Sequence, residues 1–220
     1  MRVKKLILQT CYLKTLREFY SSFLDLPIEE ISEKEIIVKM GSSDLIFVET
    51  REANPVYHFA INIPANKIEE ARNWLKGRIN LLWMNDYNSD VADFVDWHAK
   101  SVYFHDPAGN ILELIARFDL ANESDEPFSS RGFLCISEVG LVFKKEIFEL
   151  KTSQLLHDYS LAYFSKQPPQ PQFRAIGDDD GLFILVPEDR HWYPTKKPAG
   201  IFPMSLQFEN EGTEQTLDLK

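Results

Sequence analysis

Cysteine is almost missing from this chain, with two in 220 residues. Cys11 and Cys135 both lie among apolar neighbours in strand-like stretches, which excludes a disulfide framework and fits buried thiols in a reducing compartment. Basic residues are also in deficit: 24 Lys and Arg stand against 34 Asp and Glu, a net charge of −10. A general binder of nucleic acid or anionic membrane needs the opposite surplus, so the expectation is no nucleic-acid and no membrane partner. Long hydrophobic runs are absent too. Arg2-Val3-Lys4-Lys5 followed by Leu6-Ile7-Leu8 opens like a signal peptide, but Gln9 and Thr10 break the run early, and nothing approaches a membrane span. The localisation expected is cytoplasmic.

What is present is an ordinary globular composition, 44% hydrophobic, enough for one large domain or two small ones. Lys4 to Tyr12 reads as a strand running into Leu13 to Leu24, where apolar residues recur at helical spacing and Pro27 follows. Three strand-like runs come next, at Ile28–Ile31, Glu35–Met40 and Leu45–Thr50, and this first module closes near Glu52. A second copy starts at Tyr57–Ile63. Asn66, with Glu69 three residues on, predicts a capped helix carrying Ile68, Ala71, Trp74 and Leu75, with Gly77 as its stop. Strands at Asn80–Met84, Ser101–His105 and Ile111–Phe118 complete it. A third copy runs from Leu134 to Arg190, with a hairpin at Asp178-Asp179-Asp180-Gly181, and a lone strand, Phe202–Phe208, follows. The domain reading is a complete two-module unit over 1–118, a linker over 119–132, and a third module plus an extra strand over 133–220.

Side chains alternate across a strand, so each strand divides into two faces. One face is apolar throughout; the other gathers Lys5, Gln9, His58, Asn62, Glu113 and Arg117. Glu113 is the most informative of these, because in Ile111-Leu112-Glu113-Leu114-Ile115 an unpaired buried carboxylate would cost several kcal/mol. It needs a partner: a metal ion, a protonated His58, Lys5, Arg117 or water in an open cup.

The run Asp106-Pro107-Ala108-Gly109-Asn110-Ile111-Leu112-Glu113-Leu114, together with His58-Phe59-Ala60-Ile61, resembles the vicinal oxygen chelate superfamily, which includes glyoxalase I, extradiol dioxygenases, fosfomycin-modifying enzymes and bleomycin resistance proteins. The resemblance implies an α+β fold in which paired βαβββ modules form a cupped, strongly curved mixed sheet with helices outside. It also implies a divalent metal (Fe, Mn, Ni or Zn) held by the first and last strands of two modules, with His58 and Glu113 at two ligand positions. Lys5 and Ile46 fall at the other two, where neither can coordinate. Val102-Tyr103 and the following turn resemble the ring-cleaving dioxygenase signature, which implies catalytic roles for His98, as acid-base group or replacement ligand, and for Tyr103 as a hydrogen-bond partner of substrate.

Two functions of different class follow. One is metal-dependent chemistry on a small oxygen-rich or aromatic substrate, with Gln9, Asn62, Arg117 and Lys5 contacting it. The other is a metal-free small-molecule binding protein of the bleomycin-resistance kind, in which Lys5 replaces the metal and pairs with Glu113. The tail with His191-Trp192-Tyr193-Pro194 would cover the cup or bury against another copy, and a homodimer is a reasonable expectation from the resemblance.

Overall fold

A computed structural model describes residues 1–51 and 54–220; the expected close of the first module at Glu52 lies outside them. The first module runs β1 (Arg2–Thr10), α1 (Leu13–Glu18), β2 (Ile28–Ser32), β3 (Glu35–Met40) and β4 (Ser43–Glu49), with a π-helical turn, Phe19–Phe23, extending α1. The second runs β5 (His58–Ile63), α2 (Ile68–Lys76), β6 (Ala92–Phe94), β7 (Ala99–His105) and β8 (Ile111–Arg117). The third is one strand short, with β9 (Cys135–Phe143), α3 (Phe148–Asp158), β10 (Arg174–Asp178) and β11 (Gly181–Pro187). The expected lone strand is half of a hairpin, β12 (Met204–Asn210) and β13 (Thr213–Leu219). The architecture is α+β, built from repeated βαβββ modules as the sequence predicts.

Local departures have local causes. The strand expected at Asn80–Met84 is reduced to one bridge, Leu81 to Phe104, because the turn-forming Asn85, Asp86 and Asn88 fold the chain back from Met84 to Ser89. Asn66 does not cap α2; Lys67 stands at that position. The Asn66 amide instead exchanges hydrogen bonds with the Ser124 main chain at 3.0 and 3.1 Å. The apolar stripe is as expected, with Ile68, Ala71 and Leu75 buried and Trp74 edge-on to Phe128 and Phe133. Segment 119–132 is therefore packed down across α2 rather than loose. Of the two cysteines, Cys11 is exposed and Cys135 half-buried. Cys11 lies in the turn that follows β1, outside any sheet that could cover it.

The pairing of modules differs from the expected 1–118 unit. The strands form two sheets, one in the order β13-β12-β1-β4-β3-β2 and the other β10-β11-β9-β5-β8-β7-β6. The second module pairs with the third, through antiparallel β5 and β9, where Phe59 faces Val139 and Ala60 faces Glu138. The first module pairs with the terminal hairpin, where Leu6 faces Leu206 and Leu8 faces Met204. Each first strand has its module's last strand on one side and an open edge on the other. Unpaired edges in a core are costly, and here β9 and β12 cover them.

Helices α1, α2 and α3 pack on β3–β4, β7–β8 and β11 of their own modules. The apolar faces of both sheets feed one core that holds Leu6, Leu8, Phe47, Phe59, Leu112, Phe183, Leu206 and Phe208, with Phe183 edge-on to Phe208 across the sheets at 5.1 Å. The opposite face of the β5–β9 sheet carries the polar residues and is free to form a hollow.

Candidate functional site

That hollow is a cavity of about 270 Å³ over the β5–β9 seam. Three polar side chains line it from three adjacent strands: His58 on β5, Glu113 on β8 and Glu138 on β9. One ligand-capable atom from each lies within 4.8 Å of the others. His58 Nε2 and Glu113 Oε2 are 3.8 Å apart, with both side chains buried.

Glu138 is the residue that sequence reasoning missed. It occupies in the third module the place of His58 in the second: α2 begins at Ile68 and α3 at Phe148, eighty residues on, and the same step leads from His58 to Glu138. The matching place for Glu113 is Ile184. Glu113 is level with Ala60 across β8 and β5, and Ile184 is level with Gly140 across β11 and β9. The four corresponding first- and last-strand places at this seam are thus His58, Glu113, Glu138 and Ile184. Lys5 and Ile46 are not among them, because their module pairs elsewhere. The available signal was Glu138 itself, an acid inside Ile136-Ser137-Glu138-Val139-Gly140-Leu141.

Each polar group is held in a defined state. The His58 Nδ1–H donates to the Ile111 carbonyl at 3.1 Å, which leaves Nε2 as a lone pair facing Glu113. Burial lowers the His58 pKa to about 4, helped by the Arg190 charge, so the ring is neutral near pH 7. Burial and the nearby Glu138 raise Glu113 to about 8, against the Ser101 and Tyr103 hydroxyls and Arg117. Burial likewise raises Glu138, opposed by Arg117. Arg117 is fully buried; it is ion-paired with Glu138 and donates to Asp179 at 3.3 Å. Only one Glu138 oxygen is so engaged.

The turn before β8 fixes Glu113 in register. Asp106 Oδ1 accepts from the Ala108 and Asn110 main chain, both at 3.0 Å, and Oδ2 accepts from Tyr20 of the first module at 3.0 Å. Asn110 in turn accepts from the Tyr57 main chain at 2.8 Å, next to His58.

The other sequence candidates scatter. Tyr103 lines the cavity beside Glu113. Asn62 and Arg117 share the seam with His58 and Glu113 but bond to each other at 3.3 Å and do not line the cavity. Lys5 and Gln9 lie on β1 in the other sheet, Lys5 level with Gln207 and Asp44, so Lys5 does not pair with Glu113. His98 is in a left-handed turn, exposed, with Asp119 at 2.8 Å; it is not brought to the cavity. The tail does cover the cup. Trp192 and Tyr193 line it with Phe94, Trp97 and Phe173, and the Trp192 ring sits 5.1 Å from His58.

These paired modules, with a polar trio on the first and last strands, form a glyoxalase-like fold. Among solved structures, a protein described as a "putative dioxygenase" from Bacillus subtilis matches 97% of this chain and 68% of its own length, with a TM-score of 0.58 and 15% identity. A glyoxalase/bleomycin resistance protein/dioxygenase from Nocardioides matches 57% of this chain and 89% of its own, with a TM-score of 0.43 and 19% identity. The lactoylglutathione lyase of Agrobacterium tumefaciens matches 51% and 90%, with a TM-score of 0.42 and 18% identity. At 15% identity the likeness to the Bacillus subtilis protein establishes the fold alone. No family model matches the sequence, and no curated protein matches it.

Proposed function

We propose that the cavity holds a divalent cation on His58, Glu113 and Glu138 and takes a small, oxygen-bearing, partly aromatic molecule beside it. The observation that carries this reading is the convergence of three ligand atoms within 4.8 Å. A cation about 2.1 Å from each donor would set tetrahedral neighbours roughly 3.4 Å apart, so the 3.8 Å between His58 Nε2 and Glu113 Oε2 has to close by only a few tenths of an ångström. The chemistry fits as well. Glu113, raised to about 8, holds a proton near neutral pH beside the His58 lone pair, and a cation would take that proton's place between the two ligand atoms. One imidazole and two carboxylates are a donor set suited to Mn, Fe, Ni or Zn.

Bound there, the cation would supply Lewis acidity, polarising a substrate oxygen or organising dioxygen. The chain's own residues do the rest. His58 is oriented by the Ile111 carbonyl, Arg117 fixes one Glu138 oxygen, and Tyr103 offers a hydroxyl beside Glu113. Trp97, Phe173 and Trp192 give the cavity an aromatic wall against which a flat ligand would displace water.

Metal content tests this. Protein equilibrated with Mn²⁺ or Zn²⁺ and dialysed against metal-free buffer should retain a stoichiometric ion by elemental analysis. His58→Ala, Glu113→Ala and Glu138→Ala should each lose it while keeping the folded circular-dichroism spectrum. Folded wild-type protein that takes up neither metal would sink the reading. A metal-free binding protein is the second reading, and one observation favours it: a buried cation, Arg117, already neutralises Glu138, although Lys5, expected to pair with Glu113, lies in the other sheet.

A further inference from the structure

We propose that this cavity selects a single-ring aromatic molecule carrying a carboxylate, and that Arg190 receives the anion. The inference deepens the reading above, since it takes the same cavity as the ligand site. Arg190 lines the cavity. Its guanidinium lies 5.2 Å above the Phe173 ring and makes one long hydrogen bond, donated to the His191 carbonyl at 3.4 Å. Among the described residues no carboxylate comes within ion-pair distance of it. The neighbouring cations are all committed. Arg117 is paired with Glu138 and Asp179, Lys166 with Asp119 and Asp179, and Arg174 with Glu149. Arg190 is therefore the cavity's one unneutralised cation among the described residues. Its partial burial is enough to lower its pKa. A half-desolvated guanidinium without a counter-charge is costly, and an incoming anion offsets that cost with two parallel hydrogen bonds.

The rest of the lining sets the ligand's shape. Trp97, Phe173, Trp192 and Tyr193 present ring faces and edges, which favour a flat apolar body. A second polar handle waits there: the Tyr193 hydroxyl is buried with no hydrogen-bond partner and can donate to a ligand oxygen. The cavity's 270 Å³ is just below the range of about 300–1,000 Å³ typical of drug-sized sites, which suits a small body such as a single ring. One guanidinium balances a monoanion; a phosphate dianion would leave charge over beside Glu113 and Glu138.

The test compares benzoate with benzamide, its neutral isostere, by quenching of tryptophan fluorescence near neutral pH. EDTA is present throughout, so the result does not depend on a metal. Wild-type protein should bind benzoate more tightly than benzamide by on the order of tenfold, the worth of one charge-assisted contact. Arg190→Gln should erase that preference with benzamide affinity unchanged, and Arg190→Lys, which keeps the charge, should retain part of it. Equal affinities in the wild type, a preference that survives in Arg190→Gln, or folded wild-type protein that binds neither probe would each overturn the proposal. A protein that takes up no ion yet shows the preference would defeat the metal reading and uphold this one.

Discussion

With 2% exposure and Glu138 beside it, Glu113 is pushed up to about 8, whereas in the unfolded chain it titrates as an ordinary glutamate. Between those two values the folded state holds a proton that the unfolded state has released. Stability from this group is therefore complete below about pH 4 and lost as pH rises through about 8. His58, lowered to about 4, has the opposite sign: its contribution is present above its ordinary value near 6.5 and lost as pH falls through about 4. In EDTA the urea midpoint of the wild type should fall between pH 6.5 and 8.5, and Glu113→Gln should flatten that decline. A wild-type midpoint that rises over this interval would contradict the burial argument. Added divalent metal should suppress the decline, because the cation replaces the proton. At this scale His58 and Glu113 were legible in the sequence, since each is a polar residue flanked by apolar neighbours within its strand. Glu138 has the same signature. It was passed over because its place in the cup is defined only once the second and third modules are known to pair.

At the scale of elements, β9 must bring Glu138 to the seam and also leave room for the loop that roofs the cavity. Gly140 does the second task. A Cβ there would meet Trp192 Cη2 at 2.6 Å and the His58 carbonyl at 3.1 Å, so this strand position is bare to let an indole lie across it. Gly140→Ala should displace Trp192 from His58, cost about 1–3 kcal/mol as an overpacked contact, and shift tryptophan emission to the red as the ring gains water. An unchanged spectrum and melting temperature would mean that the roof is not seated on this strand. Strands and helices followed from hydrophobic period and turn residues, and α2 and the Asp178–Gly181 hairpin lie where those signals place them. The elements that were misjudged are those where tertiary contact outweighs local pattern. Leu81-Leu82-Trp83-Met84 reads as a strand, but only Leu81 and Leu82 reach β7, at Phe104 and Tyr103, before the chain turns. Asn66 reads as a cap, but its amide is taken by Ser124.

For the whole molecule, repetition is written locally, whereas the choice of which repeats share a sheet is not. Each module's first strand offers the same kind of open edge, and nothing in β1 or β5 alone says whether they meet each other or another partner. The choice falls to distant residues: β9 fits β5 with Val139 opposite Phe59, and β12 fits β1 with Leu206 opposite Leu6. Residues 1–118, which contain two full repeats, should then fail as an independent unit. Cut there, β5 loses β9 and β1 loses β12, so two fully buried strand edges and the apolar side chains beside them, Phe59, Ile61, Leu6 and Leu8, meet water. Unpaired backbone and exposed aliphatic surface favour association over folding. The fragment should show no cooperative urea transition and should aggregate, whereas the full chain unfolds with one. A fragment that melts cooperatively as a monomer could do so only by closing β1 onto β5. It would then put β1 with Lys5, rather than β9 with Glu138, beside β5, so the seam between second and third modules, and the trio built on it, depends on this outcome.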